Sequence, residues 1–143
     1  MEIKWVDTHC HLQLLNKNLD ENHFKNIEFL VIPGVDVESS SKAKEISSSL
    51  EVESYWSAGL HPHDAKLLDT QRHDLEKLFV EADLIGETGL DFYRNLSTKE
   101  EQRENFLFHL EFSKQLNKPI IIHCRDSFQD TYDLLVEFNN PSS

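Results

Sequence analysis

Apolar residues in this chain come in short continuous runs, separated by longer stretches where they recur every three or four positions. The runs cover residues 3–6, 29–34, 55–60, 84–87 and 119–123. Each is bounded by breakers or turn residues, the pattern of strands buried on both faces. The intervening stretches are helical in period. In residues 37–50, Ala43, Ile46 and Leu50 share a face, with Ser39-Ser40-Ser41 offering N-caps. Asp69 or Thr70 is expected to cap a helix to Ala82 that carries Leu75, Leu78 and Phe79 on one side. Ser97 or Thr98 opens the clearest helix, reaching about Gln115, with Glu100 or Glu101 completing a capping box. Its Phe106, His109, Leu110 and Ser113 form one stripe. A last helix covers residues 129–138, and residues 12–26 read as a polar loop with a short helix near 21–25.

Strand and helix thus alternate five times, which predicts a parallel sheet with crossover helices. The strands begin near 3, 29, 55, 84 and 119, about 30 residues apart. That is the pitch of a (β/α)8 TIM barrel, whose full circuit takes about 250 residues. A chain of 143 residues has length for a (βα)5 portion, lacking the last three units. The serines at 47–49 could pass for a linker, but a strand follows at once, so residues 1–143 are expected to form a single domain.

Composition changes this picture little. Hydrophobic residues make up 38% and charged residues 28%, which does not favour disorder. No apolar run approaches the roughly 20 residues of a membrane span, and no signal segment opens the chain. A cytoplasmic location, without membrane partners, is the expectation. Cys10 and Cys124 are the only cysteines, and both are expected to be small buried residues behind the site. A net charge of −12 argues against a generic basic nucleic-acid footprint. It leaves open a phosphate substrate whose charge is met by bound divalent ions.

The chemistry gathers where strands end. The first run leads into His9 and His11, whose spacing puts both imidazoles on one face with Cys10 on the other. Alone, such a pair is either a metal-ligand pair or two surface histidines. The third run ends in His61 and His63. The fourth ends in Glu87, with Asp91 and Arg94 beyond, and the fifth in His123 and Arg125. Carboxyl ends of parallel strands are where α/β folds place their sites. A carboxylate between two sets of histidines can bridge two ions, so Glu87 is the expected catalytic centre. His61 and His63 suit a pocket wall or a phosphate donor better than a ligand role. Asp91, Arg94 and Arg125 complete the expected substrate-binding set, the arginines as phosphate clamps or as partners of Asp91 and Asp126.

Four blocks carry a specific resemblance. Asp7-Thr8-His9-Cys10-His11-Leu12, Gly59-Leu60-His61-Pro62-His63-Asp64-Ala65, Ile85-Gly86-Glu87-Thr88-Gly89-Leu90-Asp91-Phe92-Tyr93 and Pro119-Ile120-Ile121-Ile122-His123-Cys124-Arg125-Asp126 stand in order. Together they resemble the signature blocks of the TatD-type metal-dependent deoxyribonucleases. The resemblance implies a TIM barrel, and DNA phosphodiester hydrolysis by water activated by two divalent ions (Mg, Mn or Zn). It implies that His9, His11 and Glu87 hold one ion, and that Glu87 and His123 help hold the second. The family's pattern adds a histidine after the sixth strand and an aspartate after the eighth, which these residues do not include. Weak or absent activity of this truncated chain is therefore expected.

Two other readings remain beside it. One is a non-catalytic metal-binding half-barrel, a gene remnant or assembly module. The other is an amide or ester hydrolase of the same barrel superfamily. In a flat sheet His9 and His123 would stand about 19 Å apart, so the ligands can meet only if the sheet curls. Nothing in the sequence closes that curve without further strands. Open edges would then invite a homo-oligomer or a complementing C-terminal fragment.

Overall fold

The computed structural model describes residues 3–15 and 19–139. Five strands, β1 (Trp5–Asp7), β2 (Ile27–Ile32), β3 (Glu53–Ala58), β4 (Leu84–Asp91) and β5 (Ile120–Arg125), form one parallel sheet in chain order. Four helices cross between or follow them: α1 (Val37–Ser49), α2 (Leu68–Glu81), α3 (Lys99–Leu116) and α4 (Phe128–Asn139). The predicted (βα)5 alternation is therefore present, as the wall of a curled half-barrel. The predicted polar loop holds two 3-10 turns, Leu12–Leu14 and Glu21–Phe24, while its residues 16–18 lie outside the described set. No helix among the described residues is long and apolar enough to cross a membrane.

Between sheet and helices lies a continuous core in which Ile32, Ala58, Leu75, Phe79 and Ile85 are wholly buried. A second cluster of Leu90, Phe106, Leu110 and Leu134 seats α3 and α4 against β4 and β5. Removing such surfaces from water, at about 25 cal/mol per Å², is what holds helices on sheet.

Three local expectations are corrected. The first strand is not buried: β1 pairs only with β2 among the described residues, leaving Trp5 64% exposed and Val6 43% exposed. The cap of α1 is Asp36, not a serine of the 39–41 cluster. Its carboxylate accepts from the Ser39 amide at 2.6 Å, while the Ser39 hydroxyl accepts from the Asp36 amide at 3.1 Å. Neither Asp69 nor Thr70 caps α2. A 3-10 turn, Pro62–Leu67, runs straight into that helix, so no extended residue stands where a side-chain cap could form. Thr98 does cap α3, with Glu101 closing the box.

Strand β4 is longer than its apolar run suggests and gives the sheet its decisive irregularity. From Ile85 to Thr88 takes three steps along β4, against two along β5 from Ile120 to Ile122. The extra residue is a bulge at Gly86 and Glu87, the kind of feature that bends a strand and re-aims a side chain. Gly86 and Gly89 have φ of +115° and +137°, where side chains are disfavoured. A Cβ on Gly89 would overlap the carbonyl oxygen of His123, so β4 and β5 approach here as only glycine allows.

Candidate metal centre

The sheet curls far enough that residues just beyond β1 and residues within β4 and β5 meet on one carboxylate. Glu87 Oε2 lies 3.2 Å from His9 Nε2 and 3.5 Å from His11 Nε2. Its other oxygen, Oε1, lies 3.1 Å from His123 Nδ1. The expectation that the curve would stay open without further strands is thus corrected. Accumulated strand twist and the β4 bulge bring these ends together within five strands.

Backbone contacts fix the frame around Glu87. Its amide donates to Gly34 O at 2.8 Å, and Ser57 Oγ donates to Gly86 O at 2.5 Å. The Gly34 amide in turn reaches Ser57 O at 3.1 Å. Strand β1 ends at Asp7, before the two histidines. The Asp7 carboxylate accepts the His9 amide at 3.1 Å, and the Cys10 amide donates to Val31 O at 3.0 Å. His9 and His11 keep strand-like alternation, their rings meeting edge to face at 4.9 Å.

Hydrogen bonds set the role of each ring nitrogen. His11 Nδ1 donates to Pro33 O at 3.0 Å, so Nε2 is the nitrogen that faces Glu87 and His9. His123 Nε2 donates to Asp91 Oδ2 at 2.9 Å, which turns Nδ1 toward Glu87. His61 is the reverse case. Its Nδ1 accepts the His63 amide at 3.2 Å, so the neutral ring carries its proton on Nε2, 3.2 Å from His123 Nδ1. His63 Nε2 donates to Asp91 Oδ2 at 2.8 Å.

Electrostatics follow this arrangement. Burial works against the charge of Glu87, but hydrogen bonds from His11 and His123 and the nearby His9 and His61 outweigh it. Its carboxyl sits well below the ordinary range. The same contact with Glu87 raises His11 and His123 against the opposing effect of burial. Asp91 is also buried, which opposes its charge, yet His63, the Arg94 amide and His123 bring it down to about 2. Burial, then the neighbouring His123, lowers His61 to about 4 and keeps it neutral at pH 7.

A divalent cation fits this donor set. His9, His11 and Glu87 present ligand atoms within 4.8 Å of one another, and so do His61, Glu87 and His123. Imidazole and carboxylate suit Zn, Mn and related ions. Glu87 raises His11 and His123, so positive charge is favoured here, and a cation bonded to those nitrogens would displace their protons. In the second group, His61 presents an N–H rather than a lone pair.

Other sequence expectations fall differently. Neither arginine pairs with Asp91 or Asp126. Asp91 is taken by the two histidines and by the Tyr93 and Arg94 amides, both donating to Oδ1 at 3.1 Å. Arg125 instead lies over the Tyr93 ring, 3.8 Å from its centroid, and Arg94 is exposed. Cys10 is half-buried with its thiol donating to Val31 O at 3.2 Å, and burial lifts it to about 11. Cys124 is exposed, not buried; it lies on β5, which pairs only with β4 among the described residues.

Sequence reasoning missed how α3 supports the site. Gln102 accepts from the Asp91 amide at 2.8 Å and donates to Asp91 O at 3.1 Å. Asn105 donates to Leu60 O at 2.7 Å, and His109 Nε2 accepts the Leu60 amide at 3.0 Å. All three side chains are wholly buried. The signal was present: Gln102 and Asn105 continue the same helical stripe as Phe106 and His109, polar residues on a core-facing side.

Histidines and one shared glutamate thus gather on one face of a parallel α/β barrel wall as a donor set that fits a metal ion. Comparison with known proteins gives the family. The family described as TatD related DNase matches residues 6–143, and the chain belongs to that family. The uncharacterized metal-dependent hydrolase BU355 of Buchnera aphidicola is 32% identical over 94% of this chain and 57% of its own length. The 3'-5' ssDNA/RNA exonuclease TatD of Escherichia coli K12 is 36% identical over 74% of this chain and 42% of its own. A crystal structure of YJJV, a TatD homolog from Escherichia coli K12, superposes with a TM-score of 0.85 at 20% identity. It covers 99% of this chain and 58% of the other, and supports the fold. The chain spans about half the length of the curated relatives it matches.

Proposed function

We propose that this chain forms the metal-binding wall of a hydrolase that cleaves phosphodiester bonds in DNA. One observation carries the reading: Glu87 turns each of its two oxygens to a separate set of histidines, as a carboxylate shared by two cations would. Divalent ions held by His9, His11, Glu87 and His123 would supply Lewis acidity toward a phosphoryl oxygen and lower the pKa of a bound water. The chain's own residues would orient the substrate. His61, neutral and carrying its proton on Nε2, would donate to a non-bridging oxygen. Asp91 would hold His63 and His123 in place, and Arg94 and Arg125 would bring positive charge to the rim. A relative named as an ssDNA/RNA exonuclease supports a nucleic-acid substrate.

Neither of the two buried carboxylates at this centre is free to serve as general base. Glu87 is shared by the histidines, and Asp91 is wholly buried and fully engaged. General acid–base help contributes about 10²–10⁴ in rate. These residues alone should therefore cut DNA weakly, unless a further segment or second chain supplies that group. The test is a labelled oligonucleotide with added manganese, magnesium or zinc, using Glu87→Gln as control. Metal-dependent cutting lost in the variant supports the reading. Hydrolysis of model amides or esters, with no cleavage of nucleic acid even at high enzyme concentration, would overturn it.

A further inference from the structure

A loop beside the proposed metal centre carries a largely exposed aromatic ring. Tyr93 follows the end of β4 and is 60% exposed, and the Arg125 guanidinium from the end of β5 lies 3.8 Å over its ring. The loop under the ring is held firmly. Asp91 Oδ1 accepts the Tyr93 and Arg94 amides, and the Phe92 amide donates to Arg125 O at 2.9 Å. Asn95 Nδ2 reaches Phe92 O at 3.0 Å, and Ser97 Oγ donates to His63 O at 2.9 Å. The other oxygen of the same Asp91 is the one that holds His63 and His123. One buried carboxylate therefore holds both the backbone that carries the ring and the histidines of the centre.

A rigid, exposed aromatic ring with a cation on its face is the arrangement that binds unpaired bases by stacking, largely without regard to sequence. Pre-ordering the loop removes the entropic cost of fixing it on binding. From this we infer that Tyr93 and Arg125 form a platform on which one unpaired nucleobase stacks next to the nucleotide at the metal centre. The platform favours single-stranded over duplex nucleic acid, since a base within a helix has both faces covered. It rests on the nucleic-acid reading above and adds a determinant that neither the metal ligands nor the phosphate contacts provide.

The test compares two probes in manganese buffer by fluorescence anisotropy: a short labelled oligothymidylate, and an abasic strand of the same length. Gel analysis before and after confirms intact strands. The protein should bind the base-bearing strand more tightly. Tyr93→Ala should weaken that strand about tenfold and leave the abasic strand nearly unchanged, whereas Tyr93→Phe should keep the preference. Arg125→Gln should weaken both strands, since it removes a charge as well as a stacking face. Equal binding of the two strands by the unaltered protein would overturn the platform and leave the nucleic-acid reading standing. So would a preference that survives Tyr93→Ala. Failure to bind either strand would overturn both.

Discussion

The Nε2 of His123 stands 2.9 Å from Oδ2 of Asp91, and this contact decides which nitrogen of the ring faces Glu87. With its proton committed to Asp91, His123 has Nδ1 left for a cation. A carboxylate behind a metal-ligating histidine fixes its tautomer and raises its basicity.

Asp91→Asn should therefore weaken manganese or zinc binding about 10- to 100-fold, although Asp91 is not itself in either ligand group. Titration calorimetry of the variant checks this. An unchanged affinity would mean the ring is oriented by other contacts.

Gly89→Ala should cost about 3 kcal/mol of folding stability, because a side chain is disfavoured at φ +137° and its Cβ overlaps the His123 carbonyl. Urea denaturation measures the loss. The same variant should bind metal less well, since it forces apart the strands that carry Glu87 and His123.

His109 should give stability a distinct pH dependence. Burial lowers it to about 4, so it stays neutral in the fold while the unfolded chain takes up a proton near 6.5. Between those values the unfolded state binds more protons. Stability from this residue is present above pH 6.5 and is lost as pH falls toward 4. His109→Leu should destabilise the protein at pH 7 by orphaning the buried Leu60 amide. The gap between variant and parent should narrow by about 2 kcal/mol at pH 5. A constant gap in urea melts at the two pH values would show that His109 is not held neutral.

Phosphate should bind at the strand ends. Titration followed by NMR should move the signals of His61, His63, Arg94 and Arg125 first. Movement confined to Lys42 and Lys44 on α1 would place the anion on the outer helices instead. Lys42 and Lys44 are already paired there with Glu38 and Glu81.

Much of this fold was legible in the sequence because apolar runs and helical stripes report burial directly. The five-fold alternation, a cap for α3 at Ser97 or Thr98, and the placing of His9, His11, Glu87 and His123 after the apolar runs follow from period and position; that the sheet curls enough for them to meet does not. What stayed hidden depends on long-range geometry. The apolar run at β1 reads as buried, yet exposure of Trp5 is set by which strands lie beside it. The bulge at Gly86 and Glu87 is a mismatch between two strands, so neither segment alone reveals it. Arg125 pairs with a ring, not a carboxylate, because Asp91 is already saturated by His63, His123 and two amides. His61 shares a cluster with Glu87, but only the His63 amide on its Nδ1 makes it a donor.

The most direct test of the shared-carboxylate account is titration calorimetry with manganese on the protein and on Glu87→Gln, which keeps side-chain shape and removes the charge. The account predicts measurable binding in the parent and its loss, or a fall of at least about 100-fold, in the variant. Unchanged manganese affinity in Glu87→Gln would contradict it.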